Sequence, residues 1–174
     1  LIMINDLRSE LPMVKYVDDT TIYKVTPQLE HCDIQSFVDE ITSWCDTNNM
    51  KLNAKKTVSM DVSFAKSRPT PAPICVNGSP IETVHSFRLL GLLISDDLSW
   101  EMNTTHICNK ANSRLYGLTL LRRAGLSQKH LLLIYQSTIR PVVEYACAVW
   151  HFSLTQADRD RIESIQKRAL NLIL

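Results

Sequence analysis

A chain of 174 residues is long enough for one domain or two small ones, and a hydrophobic share of 45% can fill a core. Nineteen basic residues against eighteen acidic ones leave a net charge of +1. That excludes a molecule drawn to nucleic acid by its global field, so any basic groove has to come from local placement of Lys and Arg. No apolar run reaches the ~20 residues of a membrane span, and no signal peptide is visible, so an intracellular protein is expected.

Five cysteines, Cys32, Cys45, Cys75, Cys108 and Cys147, are spread along the chain. Their number is odd and no Cys-x-x-Cys occurs, which favours buried, reduced thiols. A zinc site drawing on His31, His106 or His151 lacks the usual ligand spacing. The chain opens inside the apolar run Leu1-Ile2-Met3-Ile4 and closes inside a helical pattern at Leu170-Asn171-Leu172-Ile173-Leu174. Both ends therefore read as cut from something longer.

In chain order, Met13 to Val17 and Thr20 to Val25 are β-prone runs separated by Asp18-Asp19, which predicts a tight hairpin. Thr26-Pro27 has the form of a helix start. Ile34, Phe37, Val38, Ile41, Trp44 and Cys45 then recur at helical spacing to about Asn49. Val58 to Ala65 alternates weakly, as a strand does. Arg68-Pro69-Thr70-Pro71-Ala72-Pro73 is a proline-rich connector. Asn77-Gly78, between Ile74-Cys75-Val76 and Pro80-Ile81-Glu82, is a strong hairpin signal. Phe87 to Ile94 is mostly apolar and reads as one strand, ended by an acidic turn at Asp96-Asp97.

From about Trp100 the period becomes helical. Ile107, Ala111, Leu115, Leu118 and Leu121 share a face, Gly125 stops the helix, and Ser127 can cap the next. Leu131, Ile134, Tyr135, Thr138 and Ile139 continue to Pro141, which predicts a kink or break before Val142 to Trp150. Thr155 with Asp158 resembles a capping box, and Ile162, Ile165, Ala169, Leu172 and Ile173 mark a last amphipathic helix. The fold class is thus α+β, with a hairpin-rich part over residues 1–100 and an all-α part over residues 101–174.

Tyr16-Val17-Asp18-Asp19 carries the chemistry. A tight hairpin is a rigid mount for carboxylates, and hard cations such as Mg²⁺ take carboxylate oxygens. Phosphoryl transfer from a nucleoside triphosphate asks a protein mainly for positioning and charge neutralisation. Two ions about 3.5–4 Å apart can stabilise the attacking and the leaving oxygen together. Consecutive side chains point in different directions, so the two aspartates need not be equivalent, and Asp18 is the stronger candidate ligand. Taken alone, these four residues favour an ordinary acidic turn. The surrounding sequence reverses that preference.

Ile4-Asn5-Asp6-Leu7 followed by Lys15-Tyr16-Val17-Asp18-Asp19-Thr20-Thr21-Ile22-Tyr23 resembles the third active-site motif of reverse transcriptases. Trp44-Cys45-Asp46-Thr47-Asn48-Asn49-Met50-Lys51-Leu52-Asn53-Ala54-Lys55-Lys56-Thr57 resembles the next motif of non-LTR, LINE-type retrotransposon polymerases. Phe87-Arg88-Leu89-Leu90-Gly91-Leu92-Leu93-Ile94 through Trp100 is similar to their primer-grip strand pair. Tyr135, Ile139-Arg140-Pro141-Val142-Val143-Glu144-Tyr145-Ala146, Val149-Trp150 and Ile165-Gln166-Lys167-Arg168-Ala169-Leu170 look like the helical thumb of jockey-like elements. The resemblance covers nearly the whole chain, in order.

That resemblance implies the carboxy-terminal part of a polymerase palm followed by an all-α thumb. It implies an RNA-directed DNA polymerase acting on an RNA template, a DNA primer and deoxynucleoside triphosphates with two Mg²⁺ ions, and action in the nucleus. Asp18 and Asp19 would be metal-site carboxylates, with Tyr16 and Val17 beside the primer end. Lys56 would stand near the triphosphate, where a cation neutralises leaving phosphate, or it is a solvated charge in the run Lys51, Lys55, Lys56. Phe87, Leu90 and Gly91 would position the primer terminus, or belong simply to a buried strand.

The first catalytic aspartate and the Gly-rich segment of such enzymes belong to an amino-terminal fingers and palm segment missing before Leu1. The chain by itself is therefore expected not to polymerise DNA, and its hairpin is expected to leave apolar surface uncovered. The alternative is a non-catalytic nucleic-acid-binding module or a decayed remnant. A binding module could use Lys110, Arg114, Arg122, Arg123, Lys129, Arg159, Arg161, Lys167 and Arg168 as phosphate contacts, although charges at helical spacing are also the ordinary solvated face of a helix.

Overall fold

Turn residues govern the first half of this chain, because each β-prone run is short and meets a turn signal that folds it back. The computed structural model describes residues 4, 6–27, 33–64 and 72–174. They fall into two units. The first takes in the described residues up to Asp61 and from 72 to Val84, and the second takes in Val62–Phe64 and His85–Leu174. Short strands and helices mix in an α+β arrangement, and every sheet among the described residues has two strands.

In the first unit, β1 (Met13–Tyr16) pairs antiparallel with β2 (Asp19–Ile22), with Tyr16 opposite Asp19 and Met13 opposite Ile22. The turn is therefore Val17-Asp18, one residue earlier than the expected Asp18-Asp19, and Asp19 belongs to the strand. Burial sets this register: Met13 and Ile22 lie across from each other and pack beside Leu7, Ile41 and Cys45. A one-residue slip of one strand would turn its side chains to the other face.

Helix α1 (Gln35–Thr47) buries Val38, Ile41, Thr42 and Cys45. Thr26 and Pro27 lie outside any helix, and residues 28–32, where the expected helix would begin, lie outside the described residues. At the observed start the Ser36 amide donates to Asp33 Oδ1 at 3.4 Å. Gln35 ties the helix to β4 (Cys75–Val76): its Nε2 donates to the Cys75 carbonyl at 2.9 Å, and the Cys75 amide donates to its Oε1 at 2.8 Å.

Asn77 and Gly78, with φ of 51° and 73°, join β4 to β5 (Ser79–Pro80) as the sequence predicts for a turn with two left-handed residues. The strand expected over 58–65 shrinks to β3 (Val58–Ser59), which pairs in parallel with β6 (Glu82–Thr83). Ala65 and residues 68–71 of the proline-rich connector lie outside the described residues. Val38, Val76 and Ile81 close a second small cluster here.

In the second unit the run whose pattern reads as a strand is a hairpin, a strand pair as the resemblance implies. β7 (Ser86–Leu89) and β8 (Leu92–Ser95) flank Leu90-Gly91, both with positive φ of 46° and 89°. Helix α2 (Glu101–Arg123) follows and packs along α6 (Gln156–Ile173), with Ile107, Ala111, Leu115 and Leu118 facing Ile162, Ile165 and Ala169 in one core. The stripes read from the sequence are the buried ones, except that Leu121 and Leu172 are only partly buried.

Between these helices, α3 (Gln128–Ile134) widens into a π-helical turn over Tyr135–Ile139 before α4 (Arg140–Val143). Pro141 follows just after this π-helical turn, so the helix is distorted beside the proline and runs on to Val143. The break comes instead at Ala146, left-handed at φ 49°, before α5 (Cys147–Trp150). Ser127 stands at the start of α3, but its hydroxyl meets His130 Nδ1 at 2.8 Å rather than a backbone amide. The Thr155–Asp158 cap forms: Thr155 Oγ1 accepts from the Asp158 amide at 3.2 Å and donates to Asp158 Oδ2 at 2.8 Å. No helix among the described residues is long and apolar enough to cross a membrane.

Candidate active site

The β1–β2 hairpin gathers Tyr16, Val17, Asp18 and Asp19 at one exposed tip. Its base is held by Lys15, whose Nζ donates to the carbonyls of Ile4 and Leu7 at 2.7 and 2.6 Å. Tyr16 is 60% exposed and Val17 54%, on a backbone with φ of 59° at Val17. A β-branched residue rarely adopts that left-handed conformation, and such strain persists where the surrounding structure imposes it. Here the ladder pairing of Tyr16 with Asp19 leaves two residues to reverse the chain.

Both carboxylates are exposed, and neither accepts a hydrogen bond or ion pair among the described residues. The chain carries an internal contrast in its second Asp-Asp pair. Asp97 Oδ1 accepts from the Ser99 amide at 2.8 Å, and that bond holds its carboxyl below the usual value. Asp96 Oδ2 meets His85 Nδ1 at 2.8 Å. Asp96-Asp97 therefore serves the turn that the sequence suggested, whereas Asp18 and Asp19 are left with no such work.

Lys56 lies on a turn closed by Asn53, whose carbonyl accepts from the Lys56 amide at 3.0 Å. No hydrogen bond or ion pair joins it to Asp18 or Asp19. No group of three or more His, Cys, Asp or Glu side chains able to hold a metal occurs among the described residues. The two aspartates offer exposed carboxylate oxygens without a third such side chain beside them among the described residues.

Phe87, Leu90 and Gly91 fall on the second hairpin, and the buried-strand reading of them does not hold: Phe87 is 39% and Leu90 43% exposed. The Tyr145 hydroxyl donates to the Leu90 carbonyl at 2.7 Å, and its ring lies against Gly91, where an added Cβ would come within 3.3 Å of Tyr145 Cε1. Gly91 is required both by this close approach and by its φ.

Beside this turn lies a cavity of about 340 Å³, lined by Arg88, His106, Lys110 and Arg114 among others. Arg88 Nη2 lies 3.4 Å from His106 Nε2. Burial, and then the Arg88 and Lys110 charges, push the His106 imidazole below its usual value. Sequence reading named His106 only as a zinc-ligand candidate and Arg88 only within the strand-pair resemblance, and did not bring the two together. The available signal was the four-residue spacing of His106, Lys110 and Arg114.

Comparison with known proteins follows the same lines. The chain is 26% identical over 166 residues to the probable RNA-directed DNA polymerase from transposon X-element of Drosophila melanogaster, which takes in 92% of this chain and 18% of that protein. It is 24% identical over 168 residues to the RNA-directed DNA polymerase from mobile element jockey of Drosophila funebris, 94% of this chain and 18% of that one. The probable RNA-directed DNA polymerase from transposon BS of Drosophila melanogaster matches at 22% over 143 residues, 80% of this chain and 16% of its own length.

The chain thus spans less than a fifth of these relatives. The family described as alkylated DNA repair protein alkB homolog 8, N-terminal, matches residues 100–140, which hold α2 and α3 and none of the residues singled out at either hairpin. No solved structure matches. Matched along most of its length, this chain is a relative of the RNA-directed DNA polymerases of jockey-like and X-element non-LTR retrotransposons.

Proposed function

We propose that this chain is part of an RNA-directed DNA polymerase, supplying the Asp18-Asp19 corner of a two-metal site, with the remaining ligands on a segment outside it. The observation that carries this reading is the contrast between the two Asp-Asp pairs: Asp96 and Asp97 are bonded into their turn, while Asp18 and Asp19 are exposed and unbonded on a strained one. Free hard oxygens suit Mg²⁺, which when bound neutralises the charge that develops on the transferring phosphoryl oxygens. In this reading Asp18 and Asp19 hold the ions, and the hairpin fixes where they stand. Tyr16 and Val17 present an uncovered apolar surface to the primer end, Phe87, Leu90 and Gly91 support that end, and Lys56 balances triphosphate charge.

The hairpin part corresponds to the end of a palm and the helices to a thumb acting on an RNA template and a DNA primer. Among the described residues the two aspartates have no third ligand beside them, and on this reading the chain alone does not polymerise. The test is primer extension on an RNA template with Mg²⁺ and deoxynucleotides. It compares this chain, a version extended upstream in its reading frame, and the extended version with Asp18→Ala. Extension by the extended wild type alone, with a loss on the order of 100-fold in the variant, supports the reading. Equal extension by Asp18→Ala would remove Asp18 from the metal site.

A further inference from the structure

Asparagine is a thermolabile residue, and it is most labile before glycine, where no Cβ shields the next amide nitrogen from its carboxamide. The sequence holds one such pair, Asn77-Gly78. It forms the turn between β4 and β5, with φ of 51° and 73°, and both residues are exposed. A Cβ added at Gly78 would meet nothing within 4 Å, so water and base reach this amide from an open side.

The other asparagines among the described residues are held back by their bonding. Asn48 and Asn49 precede amides that donate to the carbonyls of Asp46 and Cys45, at 3.2 and 2.8 Å. Asn53 Oδ1 accepts from the Lys55 amide at 3.1 Å. Asn103, Asn109, Asn112 and Asn171 lie inside α2 and α6, where the following amide is committed to the helix ladder. At the β4–β5 turn, neither the Asn77 carboxamide nor the Gly78 amide has a hydrogen bond among the described residues.

We propose that Asn77 is a site of covalent modification, deamidating to aspartate and isoaspartate, and that the isoaspartate product opens the β4–β5 turn. The Gly78 amide nitrogen attacks Asn77 Cγ. The bond from Cγ to the carboxamide nitrogen breaks, and that nitrogen leaves as ammonia with the proton lost from Gly78. A five-membered succinimide remains, and water adds to one of its two carbonyls. Cleavage of the ring bond at Cγ gives aspartate. Cleavage at the main-chain carbonyl carbon of Asn77 gives isoaspartate, whose main chain runs through Cβ and Cγ. Nothing is oxidised or reduced, and water is the sole co-reactant.

The two products act differently on the fold. Asp-Gly suits a turn of two left-handed residues as Asn-Gly does, so aspartate leaves the hairpin in place and adds a charge. Isoaspartate lengthens the main chain by one carbon between Val76 and Ser79, which the pairing holds opposite each other. The strain falls on the β5 side, because Cys75 on β4 is tied to α1 by the Gln35 carboxamide. Ile81, whose amide donates to the Ile74 carbonyl at 2.8 Å and whose side chain packs with Val38 and Val76, is the residue next in line to loosen.

The test needs no catalysis and is independent of the polymerase reading. The 174-residue chain is incubated at physiological temperature and mildly alkaline pH, then digested and mapped by mass spectrometry. Methyl transfer from labelled S-adenosylmethionine by an isoaspartyl methyltransferase reports the isoaspartate. The peptide carrying Asn77 is expected to gain one dalton ahead of the other described asparagines, and faster as pH rises, because the attacking amide has to lose its proton. Asn77→Asp is expected to release no ammonia and to keep the wild-type urea midpoint. In the isoaspartate fraction the Ile81 amide is expected to exchange about three- to tenfold faster, the worth of one hydrogen bond, while the Cys75 amide keeps its rate.

Conversion of any other described asparagine before Asn77 overturns the proposal, as does an Asn77 that stays intact while the incubated chain ages elsewhere. Isoaspartate at Asn77 with unchanged exchange at Ile81 overturns its effect on the turn. A lowered urea midpoint in Asn77→Asp would show that the charge, and not the longer backbone, disturbs the hairpin.

Discussion

Val17 shows what a single residue contributes to the hairpin tip. Its left-handed backbone is one that glycine adopts freely and valine does not. Val17→Gly is expected to stabilise the first unit by up to about 1 kcal/mol, the relief of strain exceeding the added freedom of the unfolded chain. A higher urea midpoint at constant slope checks this, and a lower midpoint would show that the valine side chain is needed where it is. The motif itself was legible in the sequence. Which carboxylate sits in the turn was not, because that depends on Met13 and Ile22 packing with Leu7 and Ile41, contacts that four residues cannot reveal.

Among the elements, the long helices and the Asn77-Gly78 hairpin were readable, and the reversal at Leu90-Gly91 was not. The stripe from Ile107 to Leu118 and the cap at Thr155 follow from spacing alone. Thr155→Ala, which removes both contacts to Asp158, is expected to cost about 1 kcal/mol. Thermal unfolding measures it, and Thr155→Ser should restore most of the loss. Leu90-Gly91 was hidden inside an apolar run, where alternation gives no sign of a reversal. Pro141 was legible as a disturbance of the helix, but its form, a π-helical turn just before the proline instead of a break, leaves no pattern in the sequence.

At the scale of the whole molecule, stability rests on separate clusters, one large and helical, two small and around α1. Leu115 is almost completely buried in the large one. Leu115→Ala is expected to lower the stability of the second unit by about 2–5 kcal/mol, read as faster hydrogen exchange of the amides in α2 and α6. Exchange rates matching the wild type would mean that α2 does not depend on that core. The small sheets raise a different issue, one of solubility. A two-stranded ribbon leaves backbone groups facing outward, ready to recruit a strand from another copy. On β4 those of Cys75 are already taken by the Gln35 carboxamide. A side chain there plays the part of a third strand one residue long, so the ribbon is finished off from within the chain and closed at that point to fibre-like growth.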